Sequence, residues 1–150
     1  VLLSGINKKE LVQTIRWNLN QFDDFVGINN HMGSKFTLDT VLMTVLFREL
    51  KANNLFFLDS LTIKNSKGEK VAKNLSVPFL KRDIFIDHVD NDIAIKKKLH
   101  EVERISISKG SVIAICHPRK RTLSQLKPWL HMLQSRGFKL VPVSHLLKKK

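Results

Sequence analysis

The stretch FVGINNHMGSKFT (residues 25–37) changes character abruptly, because an apolar segment stops on two amides and an imidazole. Asn29, Asn30 and His31 need hydrogen-bond partners wherever they are buried. A short apolar run bounded by glycine and polar residues is typical of a buried strand. We therefore predict a strand over residues 25–29 that ends on these polar side chains.

The same pattern recurs along the chain, because four more apolar segments alternate with helical patterns. These segments are LFFLD (55–59), FLKRDIFID (79–87), SVIAICH (111–117) and KLVPVSHLL (139–147). Continuous apolar strands separated by helices indicate parallel strands with covering helices. The predicted fold class is α/β, either an open doubly wound sheet or part of a barrel, and about five strands are too few for a complete eight-stranded barrel.

The helices are predicted from capping residues and from apolar spacing. Asn7, followed three residues later by Glu10, resembles a capping box and predicts the start of the first helix. Thr37 or Asp39 caps the second helix. Further helices are predicted over residues 68–76, 91–110 and 122–137. In the last of these, Pro128 lacks a backbone N–H, so we expect a short turn and then a helix that has Pro128 near its start.

The composition is that of an ordinary globular chain. At 150 residues, with 43% hydrophobic and 26% charged residues, it fits a single domain over residues 1–150. It contains no apolar run near the roughly 18 residues that a transmembrane helix needs. Cys116 is the only cysteine in the sequence, so no intrachain disulfide can form.

The net charge of +13 suggests a nucleic-acid partner, but its distribution argues against one. The lysines and arginines are scattered over polar positions of helical patterns, without zinc-finger spacing or an RRM-type aromatic motif. Solvated helix faces are favoured over a nucleic-acid groove, and no nucleic-acid partner is expected. Attraction to an acidic glycan or to cell-wall material is compatible with the charge.

Polar and titratable side chains come at the carboxyl end of each predicted strand. These residues are Asn29, Asn30 and His31, then Asp59 and Ser60, then Asp87 and His88, then His117, and finally Ser144 and His145. The carboxyl ends of parallel strands form one rim, where ligand sites are built. We therefore expect His31, Asp59, Asp87 and His117 to line a shared site.

The chemistry of these groups suits hydrolysis. A neutral His31 or His117 could ligate a metal such as zinc, while Asp59 or Asp87 could ligate it, orient an imidazole or act as general base. With a metal-bound water the set would hydrolyse an amide or an ester. A strand-terminal aspartate can also simply cap the next helix or turn. No metalloprotease, P-loop or dinucleotide motif is present, and no Gly-Xaa-Ser-Xaa-Gly elbow.

Four motifs in order, GINNHMGSKFT, LFFLDSLT, VPFLKRDIFID and IAICHPRKRTLSQL, resemble the divergent polysaccharide deacetylase family from about Leu3 to Leu147. The resemblance implies an incomplete (β/α) barrel of the glycoside hydrolase and deacetylase type. It also implies metal-dependent removal of N-acetyl or O-acetyl groups from a polysaccharide or cell-wall glycan, and an extracytoplasmic location in the periplasm or cell envelope.

The resemblance assigns roles to individual residues. His31 resembles a metal ligand, and His117 a general acid or second ligand of a divalent metal, with zinc expected. Asp59 and Asp87 are candidate catalytic carboxylates. The candidate substrate-binding residues are Asn29, Asn30, Ser34, Ser60, Thr62 and Asp83.

Two departures from the family pattern qualify this assignment. Lys35 occupies the place where familiar deacetylases have a second metal-binding histidine, and its ammonium group repels a cation. The family also places paired aspartates after its first barrel strand, whereas Asp23 and Asp24 here lie just ahead of a strand. The resemblance therefore implies that the missing strand and its aspartates precede Val1 and that the chain is truncated at its N-terminus. Lys35 motivates an alternative function, a non-catalytic glycan-binding or cell-envelope module.

Overall fold

The computed structural model of the protein describes residues 7–149. The helices are α1 (Lys8–Leu19), α2 (Ser34–Leu38), α3 (Thr40–Ala52), α4 (Gly68–Leu75), α5 (Asp92–Lys109), α6 (Lys120–Ser135) and a 3₁₀ helix (Val143–Lys149). The strands are β1 (Gly27–Asn29), β2 (Phe56–Asp59), β3 (Phe79–Lys81), β4 (Ile84–Phe85) and β5 (Ala114–Ile115). The chain divides into two compact units, and the boundary falls between Lys81 and Arg82.

The first unit is a three-stranded parallel sheet in the order β1–β2–β3, with helices packed against it. Gly27 is aligned with Phe56, and Phe57 is aligned with Phe79. The ring of Phe47 from α3 lies 5.1 Å from the ring of Phe57, which in turn stacks on Phe79 at 6.2 Å between centroids. These aromatic contacts hold the sheet against α3.

The second unit contains the parallel pair β4–β5, in which Ile84 is aligned with Ala114. Buried apolar residues of α5 and α6 form its core together with Ile84 and Ile86. The indole Nε1 of Trp129 donates a hydrogen bond to Glu103 at 2.7 Å, which joins α6 to α5. The predicted α/β class, with parallel strands and covering helices, is confirmed.

The predicted caps are also confirmed. Asn7 Oδ1 accepts a hydrogen bond from the Glu10 N–H at 2.9 Å, and Asp39 accepts from the N–H groups of Val41 and Leu42. Gly110 ends α5 with φ +77°, a left-handed conformation that costs glycine little.

Two predicted helices differ from the structure. The second helix, expected to start from a cap at Thr37 or Asp39, starts after Asp39 as α3, and a short helix that was not predicted, α2, ends just before that cap. α6 begins at Lys120, so Pro128 lies in its interior rather than near its start. Pro128 is exposed, so water can satisfy the Ser124 carbonyl that the proline leaves without a helical donor.

Three predicted strands were wrong in extent or type. The strand expected over residues 111–117 is limited to Ala114–Ile115. Residues 79–87 form two short strands in separate sheets, because the backbone N–H and a carboxylate oxygen of Asp83 both bond to Ile113 and begin a new pairing there. Residues 139–147 form no strand. Pro142 cannot donate to a ladder, and its carbonyl accepts the His145 N–H at 2.9 Å as the chain turns into the 3₁₀ helix. Ser144 and His145 therefore do not end a strand.

Neither sheet of the described residues closes into a barrel. Within residues 7–149, no helix combines the length and the apolar character that crossing a bilayer requires.

Candidate functional site

The loops that follow β1 and β2 are joined by three side-chain hydrogen bonds, which we call the cross-loop bonds. Asn29 Nδ2 donates to Ser60 Oγ at 3.1 Å, and the Ser60 N–H donates to Asn30 Oδ1 at 2.7 Å. Thr62 Oγ1 donates to the Met32 carbonyl at 3.1 Å. The structure thus brings together predicted site residues of both loops, and the predicted position of Asn29 at the end of its strand is confirmed.

The same loops contain strained backbone. Met32 and Leu61 have φ values of +58° and +48°, in the left-handed region. For a residue other than glycine, this conformation carries a strain energy on the order of 1–3 kcal/mol. The cross-loop bonds help to hold these conformations. The Nδ2 atom of Asn30 is buried without a hydrogen-bond partner, although its Oδ1 is fixed by Ser60.

Asp59 ends β2 and is buried, with 1% of its surface exposed. Its Oδ1 accepts from the Leu61 N–H at 2.8 Å and its Oδ2 accepts from Ser66 Oγ at 2.5 Å. A Cβ on Gly68 would lie 2.9 Å from Oδ2, so the start of α4 packs directly on the carboxylate. Asp59 is therefore held within the turn that leads into α4, and its catalytic role stays a prediction.

His31 and Lys35 are both exposed, and Ser34 is half-buried at the first position of α2. His31 also contributes to the wall of a cavity of about 660 Å³ in the first unit. Most of that wall is apolar, with Asn29 and Asn30 among its polar members.

Asp87 and His117 form a carboxylate–imidazole pair in the second unit. Asp87 follows β4 and is completely buried, while His117 follows β5 and has 32% of its side chain exposed. Asp87 Oδ1 lies 3.0 Å from His117 Nδ1, and Asp87 Oδ2 accepts the His117 backbone N–H at 2.9 Å. Because an ionised carboxylate only accepts, it holds the proton on Nδ1 and places the lone pair of the neutral ring on Nε2.

A third hydrogen bond completes the environment of this carboxylate. The hydroxyl of Thr122, which is fully buried in the first turn of α6, donates to Asp87 Oδ2 at 2.8 Å. Arg119 Nη1 donates to the backbone carbonyl of Asp87 at 3.1 Å. Neither residue was predicted from the sequence. The available signal was a hydroxyl in the first turn of the helix that follows His117.

Electrostatics favours the ionised form of Asp87. Burial alone raises the pKa of this carboxyl group, but hydrogen bonds from Thr122 and from the backbone and ring of His117 outweigh burial, so the pKa lies below its ordinary value. Burial, together with the negative charge of Asp87, raises the pKa of the Cys116 thiol. The pair thus carries a buried negative charge beside a partly exposed imidazole.

The ring of Phe85 lies near the imidazole of this Asp87–His117 pair. This ring lies 5.2 Å from the His117 ring and 6.1 Å from the His88 ring. The guanidinium of Arg82 lies over the Phe85 ring, 5.2 Å from the centroid. An aromatic ring thus lies beside His117, and a guanidinium lies over that aromatic ring.

Asp83 lies at the amino end of β4, away from the carboxyl end where Asp87 lies. Its carboxylate accepts from Lys109 Nζ and from the Ile113 N–H, both at 2.9 Å. These contacts anchor the β4–β5 pair, and the substrate-binding role of Asp83 stays a prediction.

The donor set does not make up a complete metal centre. Among residues 7–149, no group of three or more His, Cys, Asp or Glu side chains is arranged to hold an ion. Both oxygens of Asp87 are already engaged by hydrogen-bond donors. The described residues therefore do not fit a zinc centre by themselves, and metal ligation by His31 and His117 stays a prediction.

Comparison with protein families gives one match over nearly the whole chain. Residues 1–147 match the family model described as divergent polysaccharide deacetylase.

Two curated relatives are described only as uncharacterized proteins. The Escherichia coli (strain K12) protein YibQ is 34% identical over 144 residues, which cover 96% of this chain and 45% of that protein. A Haemophilus influenzae protein is 36% identical over 129 residues, which cover 86% of this chain and 46% of that protein. The chain thus spans slightly less than half the length of these relatives.

A solved structure has the same fold. The crystal structure of the uncharacterized protein ATU2773 from Agrobacterium tumefaciens C58 matches with a TM-score of 0.93 and 24% identity. The match covers 97% of this chain and 59% of that one. It supports the predicted α/β class and is consistent with an incomplete barrel.

Proposed function

Because the chain belongs to the divergent polysaccharide deacetylase family, we propose that it contributes the proton-transfer residues of a hydrolase that removes acetyl groups from a polysaccharide. The polysaccharide is a cell-wall glycan, and the place of action is extracytoplasmic. The observation that carries the proposal is the buried Asp87 carboxylate bonded to Nδ1 of the partly exposed His117.

The proposed chemistry uses one imidazole in two steps. As water attacks the acetyl carbonyl, the neutral Nε2 of His117 takes a proton from the water and becomes an imidazolium. As the C–N or C–O bond breaks, the imidazolium returns that proton to the leaving nitrogen or oxygen. The products are acetic acid and the free amine or hydroxyl, and His117 ends in its starting state.

Asp87 serves both steps without changing its own protonation. Its hydrogen bond to Nδ1 selects the tautomer that carries a lone pair on Nε2, and its charge stabilises the imidazolium. The low pKa of Asp87 keeps it ionised through the cycle. The aromatic ring of Phe85 and the guanidinium of Arg82 would border the sugar beside His117.

Other predicted residues keep their proposed roles. We keep substrate binding as the proposed role of the first-unit residues Asn29, Asn30, Ser34, Ser60 and Thr62. The same role for Asp83, at the amino end of β4 in the second unit, stays a prediction. A divalent metal, with zinc first, remains part of the family-based prediction, and no proton-transfer step here depends on it.

The proposal predicts that acetate release depends on His117. Acetate is measured enzymatically after the purified protein is incubated with an acetylated glycan such as an acetylated chito-oligosaccharide. We expect His117→Gln to lower the rate by roughly 10²–10⁴-fold, the usual contribution of a positioned acid–base group. His145→Gln is the matched control, because His145 is exposed in the 3₁₀ helix, and it should keep the wild-type rate.

Equal rates for wild type and His117→Gln would overturn this proposal. A wild type that releases no acetate from N-acetylated or O-acetylated glycans would do so as well.

Lys35 favours a second candidate, a glycan-binding module without hydrolytic activity. Lys35 lies four residues after His31, at the position where familiar deacetylases have a second metal-binding histidine. Its ammonium group repels a cation. Glycan binding by calorimetry that is unchanged by a chelator and by His117→Ala would support this module. Binding that is lost with the chelator would count against it.

A further inference from the structure

We propose that Thr122 is a positioning residue for the Asp87–His117 pair, a role that rests on the proposed function. Thr122 does not touch the imidazole. It acts through Asp87, whose Oδ2 accepts its hydroxyl at 2.8 Å.

The geometry shows what Thr122 adds. Asp87 has two donors on Oδ2, the Thr122 hydroxyl and the His117 backbone N–H, and one partner on Oδ1, the His117 ring. Two donors on one oxygen fix the rotation of the carboxylate plane, and this leaves Oδ1 directed at Nδ1. Removing one donor loosens that rotation, so the imidazole loses part of its orientation.

The burial of Thr122 supports a specific purpose for its hydroxyl. No part of the residue is exposed, and burying a hydroxyl is unfavourable unless it is hydrogen-bonded. A helical threonine can bond back to a carbonyl of its own helix, but here the hydroxyl bonds to a carboxylate from another element. An apolar valine of nearly the same shape would fill the space without this bond.

α6 provides a fixed platform for that hydroxyl. Thr122 lies in the first turn of the helix, where the Arg119 carbonyl accepts the Leu123 N–H at 2.9 Å. Trp129 and Leu133 anchor the same helix in the core of the second unit. Arg119 adds a second link from this helix start to Asp87, through the backbone carbonyl of Asp87.

The ring of His117 gives a readout of the same contact. If Thr122 holds the carboxylate in place, loss of its hydroxyl should weaken the hold of Asp87 Oδ1 on the Nδ1 proton, and restoring a hydroxyl should reverse that change.

The experiment compares Thr122→Val, which removes the hydroxyl and keeps the shape, with Thr122→Ser, which keeps the hydroxyl. The tautomer of His117 is followed by ¹⁵N NMR of its ring at one fixed pH, a readout that needs no substrate. We expect the preference for the proton on Nδ1 to weaken in Thr122→Val and to stay close to wild type in Thr122→Ser. If the wild type releases acetate, kcat should fall on the order of tenfold in Thr122→Val, as for other residues that orient a site group, with little change in KM.

Three results would overturn the role of Thr122. One is an unchanged His117 tautomer preference in Thr122→Val, and another is an equal change in Thr122→Ser, which would point to packing of the methyl group. If Thr122→Val does not fold, Thr122→Ala removes the same hydroxyl without adding a methyl group, and an unchanged tautomer preference there is the third. Because the tautomer is measured without substrate, a protein that releases no acetate defeats the proposed hydrolysis and leaves this test intact.

Discussion

At the scale of single residues, Asp87 links the fold of the second unit to the candidate site. It is fully buried, its pKa lies below the ordinary value, and it joins His117, which follows β5, to Thr122 of α6. A buried carboxylate is unfavourable unless its hydrogen bonds are satisfied, so the site and the fold of the second unit depend on the same contacts.

The variant Asp87→Asn should therefore lose stability in a pH-dependent way. An amide cannot accept from all three donors, and we expect a loss of about 1–3 kcal/mol in the free energy of unfolding at neutral pH. A lowered pKa in the folded state gives stability that is present above the ordinary carboxyl pKa and is lost as the pH falls through the folded value. The difference between wild type and variant should accordingly shrink in acid, as measured by urea unfolding at a series of pH values.

The exposed Asp23 offers the control, since Asp23→Asn should change stability by less than about 0.5 kcal/mol. A difference between wild type and Asp87→Asn that stays constant with pH would contradict the ionised, hydrogen-bonded state of Asp87.

The sequence predicted that Asp87 and His117 lie at the same edge of a parallel sheet. It did not predict the hydrogen bonds between them. Each residue follows an apolar run, and parallel strands place such ends at one edge. Thr122 was missed because a threonine in the first turn of a helix is commonplace, and its partner is 35 residues away in the chain. Only the packing of α6 shows which acceptor its hydroxyl meets.

At the scale of elements, the parallel pairing of β1 and β2 continues beyond its last backbone contact through side chains. Backbone pairing stops where Asn29 is aligned with Leu58, and the cross-loop bonds then take over. Met32 and Leu61 adopt left-handed backbone in these loops, so a regular ladder cannot continue there.

This arrangement predicts the exchange behaviour of one amide. Asn30→Ala removes the acceptor of the Ser60 N–H, so hydrogen exchange at Ser60 should accelerate by roughly threefold to tenfold, the equivalent of about 0.5–1.5 kcal/mol. Exchange is followed by NMR. Lys35→Ala, an exposed change in nearby α2, should leave the Ser60 amide protected, and equal exchange in Asn30→Ala and wild type would show that the cross-loop bond does not hold the loop.

The elements that sequence reasoning placed well are those with strong local signals. The caps at Asn7 and Asp39 and the glycine that ends α5 are set by contacts within a few residues. The separation of residues 79–87 into two strands depends instead on the hydrogen bond between Asp83 and Ile113, which lies 30 residues further along the chain. No local sequence pattern predicts that contact.

At the scale of the whole molecule, much of the excess positive charge lies on exposed helix faces. Some of these side chains pair with acids, as Lys98 does with Glu101 at 2.8 Å and Arg121 with Asp90 at 3.1 Å. Such exposed pairs contribute little to stability and are typical of solvated surfaces. Attraction of the remaining positive charge to an acidic glycan stays a prediction.

The family match and the fold comparison apply to nearly the entire chain, whereas the matched relatives are about twice as long. Activity, substrate and partners of the whole protein are therefore proposals that begin from the Asp87–His117 pair. A single domain over residues 1–150 likewise stays a prediction beside the two compact units.

The most direct measurement of the central claim is the tautomer of His117 in the intact protein, read from ¹⁵N chemical shifts of the ring at pH 8. We predict a neutral ring with its proton on Nδ1 and its lone pair on Nε2, and loss of this preference in Asp87→Asn. A proton on Nε2 in the wild type, or the same tautomer with and without the carboxylate, would contradict the claim that Asp87 sets His117 for proton transfer.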